Sequence, residues 1–370
     1  MPFSRRNASS PSDRLAPRFS ADGPSPGMQE EQGVRRRSLV IDLWDRVGLL
    51  TLVLVSWLIF SVFADGFVSD FNIFAVGRAV AVSVVIGLAQ MVVIATGGMN
   101  ISVGAIGGVS AMFTGWLLEG VGVPVPIAIL GGVGMGAALG AINGILIVKT
   151  GINSFIITLG TLSVFSGLMY VITKVQAFNN LPVDFINLGQ TRWLGVSPLV
   201  WAMVVTGACL WFLYRGTTLG RQMLATGANP RAARLSGVPV NRIIAVTHVL
   251  SGALAGLAGV MLLLRLGSAI PTIGSDWVLP SFAAPAVGGT LLSGGVVSVV
   301  GTFVGGLLLA TIGNGLTLMN IPSFWVELTT GLVLLIAVLL DRARTLAVTR
   351  SRIGVIQPAG KPADPKGAIS

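Results

Sequence analysis

Residues 197–264 read SPLVWAMVVTGACLWFLY (197–214), RGTTLGRQMLATGANPRAARLSGVPVNR (215–242) and IIAVTHVLSGALAGLAGVMLLL (243–264). The two apolar runs are each long enough to cross the ~30 Å hydrocarbon core of a bilayer as a helix. The loop between them carries five arginines (Arg215, Arg221, Arg231, Arg234, Arg242) and no carboxylate. An apolar–basic–apolar order of this kind marks two spanning helices joined on the positively charged side of a membrane. Within the loop, Asn229 to Gly237 reads as a short helix with both ends punctuated. Asn229 is suited to accept from the first free N–H groups, Pro230 to the first helical position, and Gly237 to a left-handed stop. So short a helix facing water has no core of its own, and it implies a partner outside the chain.

Composition extends this reading to the whole chain. Of 370 residues, 53% are hydrophobic and 10% charged, against about a quarter charged in soluble domains. The chain has 49 glycines, a residue commoner in transmembrane than in soluble helices. Its apolar stretches run about 17 to 25 residues rather than alternating in tens, which selects helices over a barrel. The chain is therefore an all-α polytopic membrane protein. The net charge of +10 sits in tails and loops, which excludes a nucleic-acid face and follows the positive-inside rule. The single cysteine, Cys209, lies in an apolar run and is read as a packed, inert thiol.

Residues 1–46, rich in Ser, Pro, Gly and Arg, form a disordered tail ending in Arg35-Arg36-Arg37. The transmembrane domain occupies 47–341, with the basic loop 215–242 in the cytoplasm, and 342–370 forms a second cytoplasmic tail. About ten crossings are expected: 47–64, 79–96, 99–118, 124–148, 152–173, 197–214, 243–264, 279–292, 296–318 and 323–341. The arginines before the first run place the N-terminus inside, and an even count returns the C-terminus there. The short spans 99–118 and 279–292 are interrupted by Gly or Pro and are candidates for broken or re-entrant helices. Asn143-Gly144, Ile152-Asn153-Ser154-Phe155 and Gly160 find an echo in Asn314-Gly315, Ile321-Pro322-Ser323-Phe324 and Gly331. The expected topology runs these pairs in opposite directions, as an inverted repeat would.

Two glycine-rich loops, Thr96–Gly104 and Gly288–Gly295, are candidate unwound pieces beside a translocation path. Gly131, Gly132, Gly136, Gly140, Gly301, Gly305 and Gly306 are read instead as close helix packing. Asn100, Ser102, Asn143, Asn153, Ser154, Thr158 and Asn314 are the candidate pathway residues, open to either solute contact or interhelical hydrogen bonds. Trp193, Trp201, Trp277 and Trp325 are assigned to an interfacial belt. His248, the only histidine, is read as interfacial or hydrogen-bonded.

The absences narrow the function. Glu119, Asp276 and Glu327 fall at span ends, so there is no carboxylate at depth for proton coupling. None of the four lysines (Lys149, Lys174, Lys361, Lys366) sits in a phosphate-binding glycine loop. No metal-ligand cluster or catalytic triad is present, so an enzyme reading has no residues to stand on.

Four stretches together resemble the membrane permeases of bacterial ABC importers, specifically the ribose/xylose/galactoside-type sugar family. They are Thr96–Gly104, Ser154–Thr161, Leu219-Gly220-Arg221 through Gly237, and Val287-Gly288-Gly289-Thr290 through Gly295, within a likeness spanning about 45–342. The resemblance implies a type II ABC importer fold with two permease subunits, two cytoplasmic ATPase modules and a periplasmic binding protein. It implies that 219–237 docks onto the ATPase, through Arg221, Gly227, Asn229, Pro230, Arg231, Ala233, Arg234 and Gly237. It also implies that ATP and Mg are bound by the ATPase and no cofactor by this chain. Three positions depart from the family, which usually has Asp at Asn100, often Arg at Ser166, and a β-branched residue at Pro285.

The expected function is the permease subunit of an ATP-driven importer in the inner membrane, passing a neutral sugar or polyol. Nucleosides or branched-chain amino acids on the same architecture are the near alternative. An ATP-independent carrier or channel, or an assembly subunit without transport, are the rivals of another class.

Overall fold

The computed structural model describes residues 48–322, 324–336 and 339. The two tails expected at 1–46 and 342–370 lie outside the described residues. Thirteen helices carry the described chain: α1 (Gly48–Phe63), α2 (Asp70–Ile94), α3 (Val103–Gly115, extended by a π-helical turn Trp116–Val121), α4 (Val125–Thr150), α5 (Ser154–Thr173), α6 (Val183–Gln190), α7 (Pro198–Gly216), α8 (Thr218–Ala228), α9 (Pro230–Leu235), α10 (Val240–Leu266), α11 (Val278–Val287), α12 (Val299–Leu318) and α13 (Phe324–Ile336). Only two isolated bridges, Phe178–Ala269 and Trp193–Val196, have β geometry among the described residues.

Six of these helices (α2, α4, α5, α7, α10, α12) are long and apolar enough to cross a membrane. The other four expected crossings correspond to the shorter α1, α3, α11 and α13. At 1.5 Å per residue, the ten-residue α11 reaches about 15 Å, half of the hydrocarbon core. The turn-rich segment 267–277 supplies the rest of that passage. It runs back along α3, with Ala269 against Gly115, the Ile273 carbonyl over Gly108, Gly274 over Gly104 and the Trp277 ring in a slot left by Gly107. Non-helical backbone at this depth is tolerated because it is buried in protein. Trp277 is consequently only 5% exposed, so it belongs to the core and not to an interfacial belt. Trp193, Trp201 and Trp325 are exposed.

Helix α2 begins nine residues before the expected span at 79, because Ser69 caps it by accepting from the Asn72 N–H and Asp70 follows in the first turn. The earlier start brings Arg78 into the helix, where it donates to the Gly189 carbonyl and to Gln190 at the end of α6.

The centre of the molecule is the pair α2 and α10. In them 78% and 61% of the most apolar stretch is buried, against 22–33% in the other four long helices. Their neighbours are exchanged between the halves of the chain. Helix α10 packs against α3 and α4, which follow α2 in sequence, while α2 packs against α11 and α12, which follow α10. Gly136 faces Gly252 and Gly256, Gly140 faces His248 and Gly252, and Gly144 faces Ala245, so α4 and α10 are antiparallel. Helices α2 and α12 are antiparallel too, through Val84 with Gly306 and the reciprocal Asn72–Asn314 amide pair at 3.0 and 3.1 Å. The same exchange in both halves, with an antiparallel contact in each, is the pattern that the inverted repeat read from Asn143-Gly144 and Asn314-Gly315 would require.

The glycines assigned to packing do that work. A Cβ at Gly132, Gly136, Gly140, Gly301, Gly305 or Gly306 would meet a neighbouring helix or loop at less than contact distance, and Gly131 faces the Leu117 side chain. Lipid tails are as apolar as leucine, so association of these helices rests on close van der Waals contact rather than on exclusion of water. Apolar side chains on α1, α5 and α7, among them Leu54, Val171 and Phe212, point outward. Cys209 is on this outward side of α7, so it is exposed and not a packed thiol. The reason is helical phase: the buried face of α7 is Leu199, Met203, Gly207, Leu210 and Tyr214. His248 is buried, with Nδ1 3.0 Å from the Ile244 carbonyl, which agrees with its hydrogen-bonded reading and not with an interfacial one.

Candidate functional site

Two constellations are built on this frame. The first surrounds the break between α2 and α3. The chain leaves α2 at Ala95 and re-enters a helix at Val103. The N–H groups of Thr96, Gly97 and Gly98 still donate to the last carbonyls of α2, but those of Met99, Asn100 and Ile101 have no helical backbone partner. Side chains from two helices, α5 and α2, take their place. The Met99 N–H donates to Ser154 Oγ (2.9 Å), and the Ile101 N–H to Thr158 Oγ1 (3.0 Å), both on α5. The Thr158 hydroxyl lies within hydrogen-bond reach of the Met99 carbonyl (3.2 Å) and of the Ser154 carbonyl of its own helix (2.7 Å). The Gln90 amide of α2 satisfies both backbone groups of Asn100 in one of its orientations, donating to the carbonyl (2.9 Å) and accepting from the N–H (3.2 Å).

The side chains of the loop then bond outward. Asn100 Nδ2 donates to Ser251 Oγ of α10 (3.0 Å), Ser102 Oγ to Asn100 Oδ1 (2.8 Å), and Asn143 Nδ2 of α4 to Ser102 Oγ (2.8 Å). Gln90, Asn100, Ser102, Asn143, Thr158 and Ser251 are all fully buried. The network contains no charge, and Asn143 Oδ1 is its one side-chain atom left without a partner.

Of the seven pathway candidates, the structure brings together Asn100, Ser102, Asn143, Ser154 and Thr158. In this conformation they bond to one another and to backbone, so interhelical bonding describes them. Asn153 stands apart, exposed, and caps α5 by accepting from the Phe155 N–H (2.8 Å). Asn314 pairs with Asn72 on the other side of the molecule. Sequence reading missed Gln90 and Ser251. Gln90 is the one amide in the apolar run 79–96, and a polar group there requires a partner.

The second constellation is the basic loop. Thr217 caps α8 by accepting from the Gly220 N–H (3.1 Å). Helix α8 buries Gly220, Met223 and Thr226 against the spanning helices. Asn229 then accepts from the N–H groups of Arg231 (3.1 Å) and Ala232 (3.0 Å), Pro230 opens α9, and Gly237 closes it at φ +81°. All three punctuation marks are where the residue types require. Replacing Asn229 with Ala removes the acceptor and is expected to cost about 1 kcal/mol locally. Faster amide exchange at Arg231 and Ala232, with no change in α10, is the measurement that checks it.

Ala233 is the buried contact of α9. Arg221, Arg231 and Arg234 are exposed, and Arg234 Nη2 donates to Asn241 Oδ1 (3.2 Å). Leu235, at the free tip, is 91% exposed. An open groove on the same loop is lined by Thr218, Arg221, Gln222, Ala225 and Val238. A lone leucine among arginines at a helix tip, outside any lipid-facing helix, has the form of an interface anchor with a basic rim.

A family model described as a branched-chain amino acid transport system permease component matches residues 72–338. The chain is 40% identical over 302 residues to the ribose import permease protein of Bacillus subtilis (strain 168), covering 81% of this chain and 92% of that one. It is 36% identical over 301 residues to the D-allose transport system permease protein of Escherichia coli (strain K12), covering 81% and 92%. It is 34% identical over 310 residues to an L-arabinose ABC transporter permease protein of Azospirillum brasilense, covering 84% and 91%. No solved structure matches it. The matched residues take in almost all of α2 through α13, including both constellations, and the chain belongs to the family of ABC importer permease subunits of the ribose type.

Proposed function

We propose that this chain is the membrane subunit of an importer for a neutral monosaccharide or related polyol, with α8 and α9 receiving a separate ATPase. The observation that carries this reading is the capped α9, which presents Leu235, Arg231 and Arg234 at its surface, with no partner for the leucine among the described residues. The relatives' sugar substrates favour a polyhydroxylated solute over an amino acid or nucleoside. A path without buried carboxylates suits an uncharged one. Energy comes from ATP and Mg held by the ATPase, and solute from a periplasmic binding protein. A second permease subunit, identical or related, completes the membrane unit. The basic end of the molecule faces the cytoplasm of the inner membrane, following the positive-inside rule.

The test is reconstitution with the cognate ATPase and binding protein in liposomes. Arg231→Glu and Leu235→Asp together should leave insertion intact and remove copurification of the ATPase, with transport falling at least about a hundredfold, as loss of interface hot spots implies. Wild-type copurification in the double variant would defeat the docking assignment. Screening sugars, nucleosides and amino acids against the binding protein separates the solute classes. Uptake that persists without ATP would overturn the importer reading.

A further inference from the structure

Three loops meet at the basic end backbone on backbone, the Ala228 methyl being the one side-chain group against Gly97, Gly227, Gly294 and Gly295. The end of α2 contributes Ala95 and Gly97, the end of α8 contributes Gly227 and Ala228, and the loop between α11 and α12 contributes Gly294 and Gly295. The Gly295 N–H donates to the Ala95 carbonyl (3.2 Å). A Cβ at Gly227 would fall on that same carbonyl. A Cβ at Gly294 would lie 2.6 Å from the Gly97 nitrogen, and one at Gly295 would lie 2.9 Å from the Ala228 Cα. Gly97, Gly294 and Gly295 have φ of +77°, +90° and +82°, so each also holds a conformation that side chains disfavour.

The position of this junction is its significance. Gly97 opens the loop that carries Asn100 and leads into α3. Gly294 and Gly295 close the loop that leaves α11, the half-length helix. Gly227 and Ala228 end α8, directly before the capped α9. The two interrupted passages of the fold therefore converge on the segment that carries the exposed arginines and Leu235. Contact of backbone on backbone leaves no rotamers to absorb a displacement, and packed elements of this kind move as units.

We infer that Gly97, Gly227, Gly294 and Gly295 form a rigid joint that delivers movement of α8 and α9 to the α2–α3 loop and to the end of α11. This inference rests on the docking of an ATPase at α9. Within the reconstituted complex, Gly294→Ala, which lies outside the docking segment 219–237, should still copurify the ATPase. Its transport should fall about tenfold, a coupling loss of ordinary size, and its ATP hydrolysis should no longer respond to loaded binding protein.

A second measurement does not depend on that variant folding. Spin labels at Ala225 and Ser293, both exposed, are placed in a Cys209→Ser background, since Cys209 is itself exposed. A rigid joint predicts the same dipolar broadening in the nucleotide-free and ATP-bound complex. Wild-type transport by Gly294→Ala, or broadening that changes on ATP binding, would overturn the joint. Failure of the wild-type chain to copurify any ATPase would overturn the docking reading instead.

Discussion

Gly252→Leu is expected to prevent assembly of the central helices. A Cβ at residue 252 would fall on the Gly136 carbonyl and lie 2.8 Å from the Gly140 Cα, so the added side chain meets backbone that has no rotamer to yield. Sliding α10 to make room is blocked, because Gly256 lies against Gly132 and Gly136, and Gly259 against Gly107. Overpacking typically costs 1–3 kcal/mol, and a site with no escape belongs at the top of that range, about 3 kcal/mol or more. Gly134 on α4 has open space around it, so Gly134→Leu should change stability by less than about 0.5 kcal/mol. Thermal unfolding in detergent, with size exclusion to count folded protein, compares the two. Equal melting temperatures for both variants and wild type would remove the close-packing account of α4 and α10.

Asn100→Leu is expected to be nearly as severe, through polarity and not volume. It removes the bond to Ser251 and the acceptor of the Ser102 hydroxyl, leaving a buried donor unsatisfied. An interhelical hydrogen bond in a membrane averages about 0.6 kcal/mol, and a buried orphan adds about 1–3 kcal/mol. The variant should therefore lose about 2–3 kcal/mol and most of its transport activity. Asn100→Asp should behave differently. In a fully buried site the acid takes its neutral form, and its O–H replaces the amide N–H towards Ser251 while its carbonyl keeps Ser102. Its loss should stay within about 1 kcal/mol, as for exchange of one satisfied hydrogen bond by another. The same unfolding assay ranks the pair, and equal destabilisation by Asp and Leu would show that hydrogen bonding at this site is not what holds the loop. The ranking also bears on the family's usual aspartate at this position: hydrogen-bond geometry, more than charge, is what the network requires.

Much of the local structure was legible because it depends on residues close in sequence. The N-cap of Asn229, Pro230 and Gly237 involve contacts within nine residues, and α9 has the expected ends. The long apolar runs appeared as helices. Of the two spans expected to be broken, 279–292 is helical only over Val278–Val287, whereas 99–118 is helical without a break from Val103, its glycines lying inside the helix. The errors have the complementary cause. Cys209 was read from the apolarity of its run, and Trp277 from its place near a span end. Their exposure depends on which face α7 turns inward and on the slot that Gly107 opens in a distant helix. Arg78 was placed outside a span because the cap at Ser69 went unread.

The sequence by itself determined that this is a helical membrane protein, how its basic loop begins and ends its short helix, and which glycines bring helices together. These follow from hydrophobic length, charge placement and capping, all of them local properties of the chain. Only the tertiary structure decided how the halves are joined. The exchange of α3 and α4 onto α10, and of α11 and α12 onto α2, is a choice among apolar faces of similar composition. It is settled by shape, where glycines let backbones touch. The burial of Gln90, Asn100 and Ser251 in one network, and the meeting of Gly97, Gly227 and Gly294, follow from that choice. Ser251 lies 151 positions from Asn100, and Gly97 lies 130 from Gly227, so only packing brings them to a common point.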